Sequence, residues 1–159
     1  VEGVPENIEL GLGFLGGLEQ GDVLVVSGSS DYAYFGELMT RLSIERGLAG
    51  AIIDGLTRDT YFTGTVSELA VFARGYSPRD IKGRGRVVEV DKPIVIDGIK
   101  VSPGDYVFGD SDALVFIPSA TISPLQDRIM SSVAEEAVIK ERIASGESVL
   151  DILSHHKSF

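Results

Sequence analysis

Glu37, Arg58 and Asp59 are the residues of this 159-residue chain whose types and spacing could do chemistry. Asp59 is a hard oxygen ligand of the kind that suits Mg²⁺ or Mn²⁺, ions that keep several waters and use few protein carboxylates. Arg58 carries a planar fork that can clamp a carboxylate or face the negative charge of a developing enolate. Glu37 follows Gly36 at the predicted start of a helix, where free backbone N–H groups and the positive dipole end favour a carboxylate. Together they could hold a divalent metal and an anionic substrate in one place. The same spacing also fits a surface ion pair beside a helix cap, so the residues alone leave both readings open.

The elements that must position these side chains are legible around them. The pattern predicts a helix over about 34–46, stopped by Gly47, and a buried strand over about 49–53, after which Asp54-Gly55 is expected to turn the chain abruptly. Upstream, Pro5 and the Ile8, Leu12, Leu15 stripe predict a first helix, and Val23-Leu24-Val25-Val26 a strand buried on both faces. Helix, strand, helix, strand predicts a right-handed crossover and a parallel core. Downstream, short apolar runs at about 69–72, 87–90, 93–96, 99–101, 106–108 and 114–117 read as antiparallel β structure broken by turns. A long amphipathic helix is expected over about 123–144 and a shorter one over about 148–154. Without repeat or linker, residues 1–159 read as a single α/β domain, the long helix packing on it or on a neighbouring subunit.

Composition narrows the function classes. Apolar residues make up 43% of the chain and Gly numbers 19, which suits a compact, turn-rich domain. A formal net charge of −10 argues against sequence-independent binding of nucleic acid. No apolar run approaches the roughly 20 residues of a membrane span. With no cysteine there are no disulfides and no thiolate chemistry, and with no charged-then-apolar leader the expectation is a cytoplasmic protein. Basic residues gather at Arg74, Arg79, Lys82, Arg84 and Arg86, either as a solvated loop or as a funnel for a small polyanion. Val1 is not an initiator methionine, and an N-terminal segment is expected to precede it.

Other motifs fall away. Gly11-Leu12-Gly13-Phe14-Leu15-Gly16 matches a dinucleotide fingerprint, but inside a predicted helix with no strand leading in. His155 and His156 read as a tail. Asp105, Asp110 and Asp112 lack calcium-loop spacing and read as turn residues.

The surviving residues resemble the RraA-like family, which includes class II 4-hydroxy-4-methyl-2-oxoglutarate and 4-carboxy-4-hydroxy-2-oxoadipate aldolases. The resemblance runs through Glu6-Asn7, Gly21-Asp22-Val23-Leu24-Val25-Val26, Gly36-Glu37-Leu38, Gly47-x-x-Gly50, Ile53-Asp54-Gly55-x-x-Arg58-Asp59, Val71-Phe72-Ala73-Arg74-Gly75, Pro103-Gly104-Asp105 and Asp110. It implies a three-layer β/β/α swivelling-domain fold, a homo-oligomer (trimer or hexamer) with sites at its interfaces, and about sixty further N-terminal residues. It also implies roles: Asp59 as metal ligand, Arg58 on the keto acid, Glu37 holding a water, and the N–H groups of Leu38 and Met39 receiving the pyruvyl carboxylate after Gly36. Lys82, or a neighbouring basic residue, is expected to meet a distal carboxylate. The implied activity is a metal-dependent lyase that releases pyruvate from a 4-hydroxy-2-oxo acid, with oxaloacetate decarboxylation through the same enolate. Some members instead inhibit ribonuclease E by binding protein and lack the complete Arg-Asp pair. Phe62 departs from the pattern, standing where an acidic residue often follows Arg-Asp, and Ala113 replaces a common glycine.

Overall fold

The computed structural model describes residues 17–156. The first predicted helix and the Gly11 to Gly16 motif lie outside the described residues. The chain divides into two compact units that part at Pro103 and Gly104.

The first unit is built on a parallel sheet. Its central strand is β3 (Gly50–Thr57), whose buried run reflects contact on both faces and both edges. One edge of β3 receives two strands end to end. β1 (Val23–Ser27) pairs from Val23 opposite Gly50 to Ser27 opposite Asp54, and β2 (Ala33–Phe35) pairs with Leu56 and Thr57. β4 (Ala70–Tyr76) covers the other edge. The helix α1 (Glu37–Glu45) follows β2 directly. Met39, Leu42 and Ile44 from it pack on a core of Leu24, Phe35, Leu48, Ala51, Ile53 and Leu69. A four-residue helix, α2 (Thr60–Thr63), follows β3. The hairpin of β5 (Ile94–Ile96) and β6 (Ile99–Val101) completes the unit.

Four expectations are corrected. Tyr34 and Phe35 belong to β2 rather than to the helix, which begins only at Glu37. The run near residue 70 is a parallel strand rather than an antiparallel one. Residues 87–90 form no strand. Most telling, Asp54-Gly55 does not turn the chain, because β3 continues through it to Thr57 with a shift of register between Ile53 and Leu56. Gly55 serves a close backbone approach instead. A Cβ there would lie 2.7 Å from the Ser29 nitrogen and 2.8 Å from its oxygen, and the Leu56 N–H donates to Ser29 O at 3.1 Å. Asp54 carries an ion pair with Arg74 (2.5 Å), and Arg74 reaches on to Asp97 (2.9 Å), tying the β5–β6 turn to the sheet.

The second unit comprises the antiparallel hairpin of β7 (Tyr106–Gly109) and β8 (Leu114–Ile117), the helix α3 (Ser119–Ala144) and the short α4 (Val149–His155). Asp110 closes the hairpin turn by accepting the N–H groups of Asp112 (2.8 Å) and Ala113 (3.1 Å). Asp105 accepts the Ser119 N–H at 3.1 Å, at the start of α3. The helix starts four residues before the expected 123 and runs through Pro124. The two histidines are not a loose tail. His155 lies in α4, and His156 bridges the helices, its Nδ1 3.2 Å from the Glu135 carboxylate and its Nε2 2.9 Å from the Arg142 guanidinium. Because Arg142 can only donate, Nε2 accepts and Nδ1 carries the proton toward Glu135.

Replacing Gly55 with alanine drives a Cβ into the backbone at Ser29, which has no rotamer with which to yield. Gly55→Ala is expected to destabilise the chain by about 1–3 kcal/mol, the usual range for overpacking, read as a lower midpoint in chemical denaturation.

Candidate active site

The site is assembled where β2 passes into α1 and where β3 ends. Phe35 fixes the two strand ends to one another: its carbonyl accepts the Arg58 N–H at 2.8 Å and the Thr57 hydroxyl at 2.7 Å. Gly36 then supplies the space. A Cβ on it would fall 2.5 Å from Asp59 Oδ2, 2.8 Å from Arg58 Cγ and 2.9 Å from Arg58 Nε. The backbone at Gly36 is extended (φ −156°), so glycine is required here by crowding rather than by conformation.

Through that gap Asp59 reaches the first turn of α1, where Oδ2 accepts the Glu37 N–H at 3.0 Å. This satisfies one of the four orphan donors of the helix and sets a negative charge at its positive end. The N–H groups of Leu38 and Met39, next in that turn, have no hydrogen-bond acceptor among the described residues. Asp59 itself has a left-handed backbone (φ 55°, ψ 42°), uncommon for a residue with a side chain although aspartate tolerates it better than most. Its carbonyl accepts the N–H groups of Phe62 (2.9 Å) and Thr63 (3.0 Å), which stabilises the bend.

Arg58 lies beside Asp59, with Nε 3.5 Å from Oδ2, and its NH1 is 2.6 Å from Asp80 Oδ2. Nε is buried and makes no hydrogen bond. The side chains remain open to solvent at 31% for Arg58, 43% for Asp59, 43% for Glu37 and 37% for Asp80.

Glu37, Arg58 and Asp59 are thus in one contiguous contact network, with Gly36 beneath them. Lys82 is brought to the same neighbourhood through Asp80, whose Oδ1 accepts the Lys82 N–H at 3.0 Å. Leu38 is exposed at the surface, whereas Met39 packs against the core. Two participants escaped the sequence. Asp80 gives no local signal, since its partner is 22 positions away. Arg41 did give one, standing four residues after Glu37 on the same helix face. Its Nε donates to Glu37 Oε1 at 2.9 Å and its guanidinium stacks 4.1 Å from the centre of the Phe62 ring. Phe62, at the departing position, therefore holds the cation that holds Glu37. Of the basic group, Arg79 and Arg84 lie over the Tyr32 ring at 4.6 and 5.3 Å.

No cluster of three or more His, Asp or Glu side chains that could cage a metal occurs among the described residues. Asp59 fits a different kind of ion. Its recorded contacts go to Oδ2, so one carboxylate oxygen is left for a hard cation that retains most of its waters.

A family model described as RraA-like, Aldolase/RraA, matches residues 4–116. This chain belongs to the RraA-like family. Among its relatives is a 4-hydroxy-4-methyl-2-oxoglutarate aldolase of Thermus thermophilus, 33% identical over 100 residues, which cover 62% of this chain and 60% of that protein. An RraA-like architecture is also what the solved structures give. A crystal structure of an uncharacterised Pseudomonas syringae pv. tomato protein superposes with TM-score 0.82 at 29% identity, over 89% of this chain and 71% of that one. Streptomyces coelicolor RraAS2, titled an unusual member of the RNase ES inhibitor RraA protein family, matches with TM-score 0.69 at 26% identity, over 78% of this chain and 64% of that one. The chain spans about two thirds or less of the length of the first curated relatives it matches. The mixed α/β, RraA-like fold expected from the motifs is therefore borne out. No helix among the described residues is long and apolar enough to cross a membrane.

Gly36→Ala forces Asp59 and Arg58 off the start of α1. The expected outcome is loss of ligand binding at Arg58 with a folded chain retained, checked by calorimetry with oxalate beside circular dichroism. A second expectation concerns acid. Burial pushes the Asp80 carboxyl up, but the Lys82 N–H, the hydrogen bond and charge of Arg58 and the charge of Lys82 outweigh it, so the group ionises below its ordinary 3.8. A carboxyl depressed by folding stabilises the chain above its unfolded value, and that contribution is lost as pH falls through the lower folded value. A carbon-13 titration of Asp80 should have its midpoint below 3.8 and move upward in Arg58→Gln. A midpoint unmoved by that change would deny the pairing.

Proposed function

We propose that this protein is a divalent-metal-dependent lyase of the class II pyruvate aldolase type, cleaving a 4-hydroxy-2-oxo acid to pyruvate and decarboxylating oxaloacetate by the same route. The observation that carries the reading is the contact of Asp59 with the first turn of α1, with Arg58 beside it and both side chains partly open to solvent. The likeness to the Thermus thermophilus aldolase supports it.

Each residue has a task in that chemistry. The N–H groups of Leu38 and Met39 receive the C1 carboxylate, as a helix start readily does. Arg58 directs its guanidinium at the 2-oxo group. When the C3–C4 bond breaks, the electron pair moves toward that oxygen, and the fixed cation stabilises the negative charge. Glu37, clamped by Arg41, orders a water that takes the proton from the 4-hydroxyl and returns one to C3, which completes pyruvate. Lys82 meets the distal carboxylate. A Mg²⁺ or Mn²⁺ ion held by Asp59 would supply Lewis acidity at the same oxygen atoms. The charges are consistent with this. Glu37, Asp59 and Asp80 balance Arg41, Arg58 and Lys82, so a doubly charged substrate leaves an excess that a divalent cation would cancel.

Leu38 (71% exposed) and Tyr61 (91% exposed) flank the site, and two such bared side chains suit cover by a neighbouring subunit of a trimer or hexamer. The likeness to RraAS2 favours a second reading, a non-catalytic protein-binding regulator of a ribonuclease. The two part on one assay. Pyruvate release from oxaloacetate by full-length protein should depend on Mg²⁺ or Mn²⁺ and stop with a chelator. Arg58→Ala should lower turnover by at least about 100-fold, the scale of losing an oxyanion donor, without unfolding the chain. Absence of turnover with either metal, on oxaloacetate and on a 4-hydroxy-2-oxo acid, would leave the regulator reading.

A further inference from the structure

Asp80 stands outside every motif that carries the family resemblance, yet it makes the shortest polar contact recorded for Arg58. Both of its carboxylate oxygens are committed. Oδ1 accepts the Lys82 N–H of its own loop at 3.0 Å, and Oδ2 takes Arg58 NH1 at 2.6 Å. The loop does not depend on that ion pair for its own position. It is laced to β2 by the Ala33 N–H on Arg79 O (2.8 Å) and the Ile81 N–H on Ala33 O (3.2 Å), and Arg84 NH1 donates to Asp80 O at 3.0 Å. Ala33, the anchor, is fully buried.

Arg58 does depend on it. The backbone of Arg58 is fixed by Phe35 O, but several rotatable bonds separate that anchor from the guanidinium. Asp59 holds only Nε, at 3.5 Å and without a hydrogen bond, so Asp80 makes the close contact that fixes the far end of the fork. Both supports return to one strand: the backbone of Arg58 through Phe35, its guanidinium through the loop seated on Ala33.

We propose that Asp80 is a positioning residue, which aims the Arg58 guanidinium from a loop riveted to β2 and leaves its remaining donors for an anionic ligand. The proposal rests on the lyase reading for what Arg58 does, although not for where Arg58 is held. A pair made only for stability would tolerate any orientation of the fork. A positioning pair would not, since misplacement of a catalytic group by about 1 Å can cost on the order of 100-fold in rate.

The test uses the full chain with Asp80→Asn, which keeps size and the acceptor for the Lys82 N–H but removes the charge. One readout needs no activity. The Arg58 Nε–H proton, assigned by its disappearance in Arg58→Lys, is expected to exchange slowly in the parent and at least about 10-fold faster in Asp80→Asn. The other readout is steady-state turnover of oxaloacetate. The kcat is expected to fall by about 10-fold to 100-fold with KM changed by less than about 3-fold, and Asp80→Glu to recover part of the loss. Unchanged exchange in Asp80→Asn would overturn the proposal. So would a lower KM at unchanged kcat, which would make Asp80 a competitor for Arg58 instead. If the parent turns over neither class of substrate, the lyase reading fails, and the exchange measurement still decides whether Asp80 holds Arg58.

Discussion

The hydrogen bond from the Glu37 N–H to the Asp59 carboxylate is the contact on which the rest of this site depends. It joins residues from opposite ends of the α1–β3 passage and fixes the end of β3 against the start of α1. It exists because Gly36 has no Cβ, and it serves two ends at once. The helix gains an acceptor for an orphan donor, and the carboxylate is set facing outward with one oxygen engaged. The helix start and the proposed metal ligand therefore share one carboxylate through its two oxygens, so displacing Asp59 at Gly36 disturbs both.

From that contact the network spreads in two directions. Toward α2, Phe62 stacks under Arg41, which in turn grips Glu37. Toward the loop after β4, Asp80 grips Arg58. Each pair has a further support: an aromatic face beneath the cation Arg41, and a backbone-laced loop beneath the anion Asp80. Exposed ion pairs are individually weak. Here they matter as orientation, since the side chains they fix are long and the backbone beneath Arg58 is already hydrogen-bonded to Phe35.

Much of this was legible in the chain. Gly36, Glu37, Arg58 and Asp59 could be singled out because a helix start, a strand end and an Arg-Asp pair are local patterns. The strands over 99–101 and 114–117 were bounded correctly because Gly, Pro and Asp punctuate them. Asp54-Gly55 misled for a physical reason: glycine marks both sharp turns and places where two backbones nearly touch, and only the neighbour at Ser29 distinguishes them. Asp80 was invisible because its partner is chosen by the packing of β2 against the loop, not by spacing. The direction of β4 was likewise hidden, since parallel and antiparallel pairing are set by where the chain returns.

The left-handed backbone of Asp59 has one more consequence. The conformation asks for glycine or asparagine, whereas the site asks for a charge, so the position is pulled two ways. Asparagine would keep an acceptor for the Glu37 N–H and relax part of the backbone strain, of order 1 kcal/mol. The charge works the other way, since an anion at the start of α1 is favoured by the positive end of the helix. Asp59 is therefore a position where backbone and side chain make opposite demands, and aspartate is the residue that meets both.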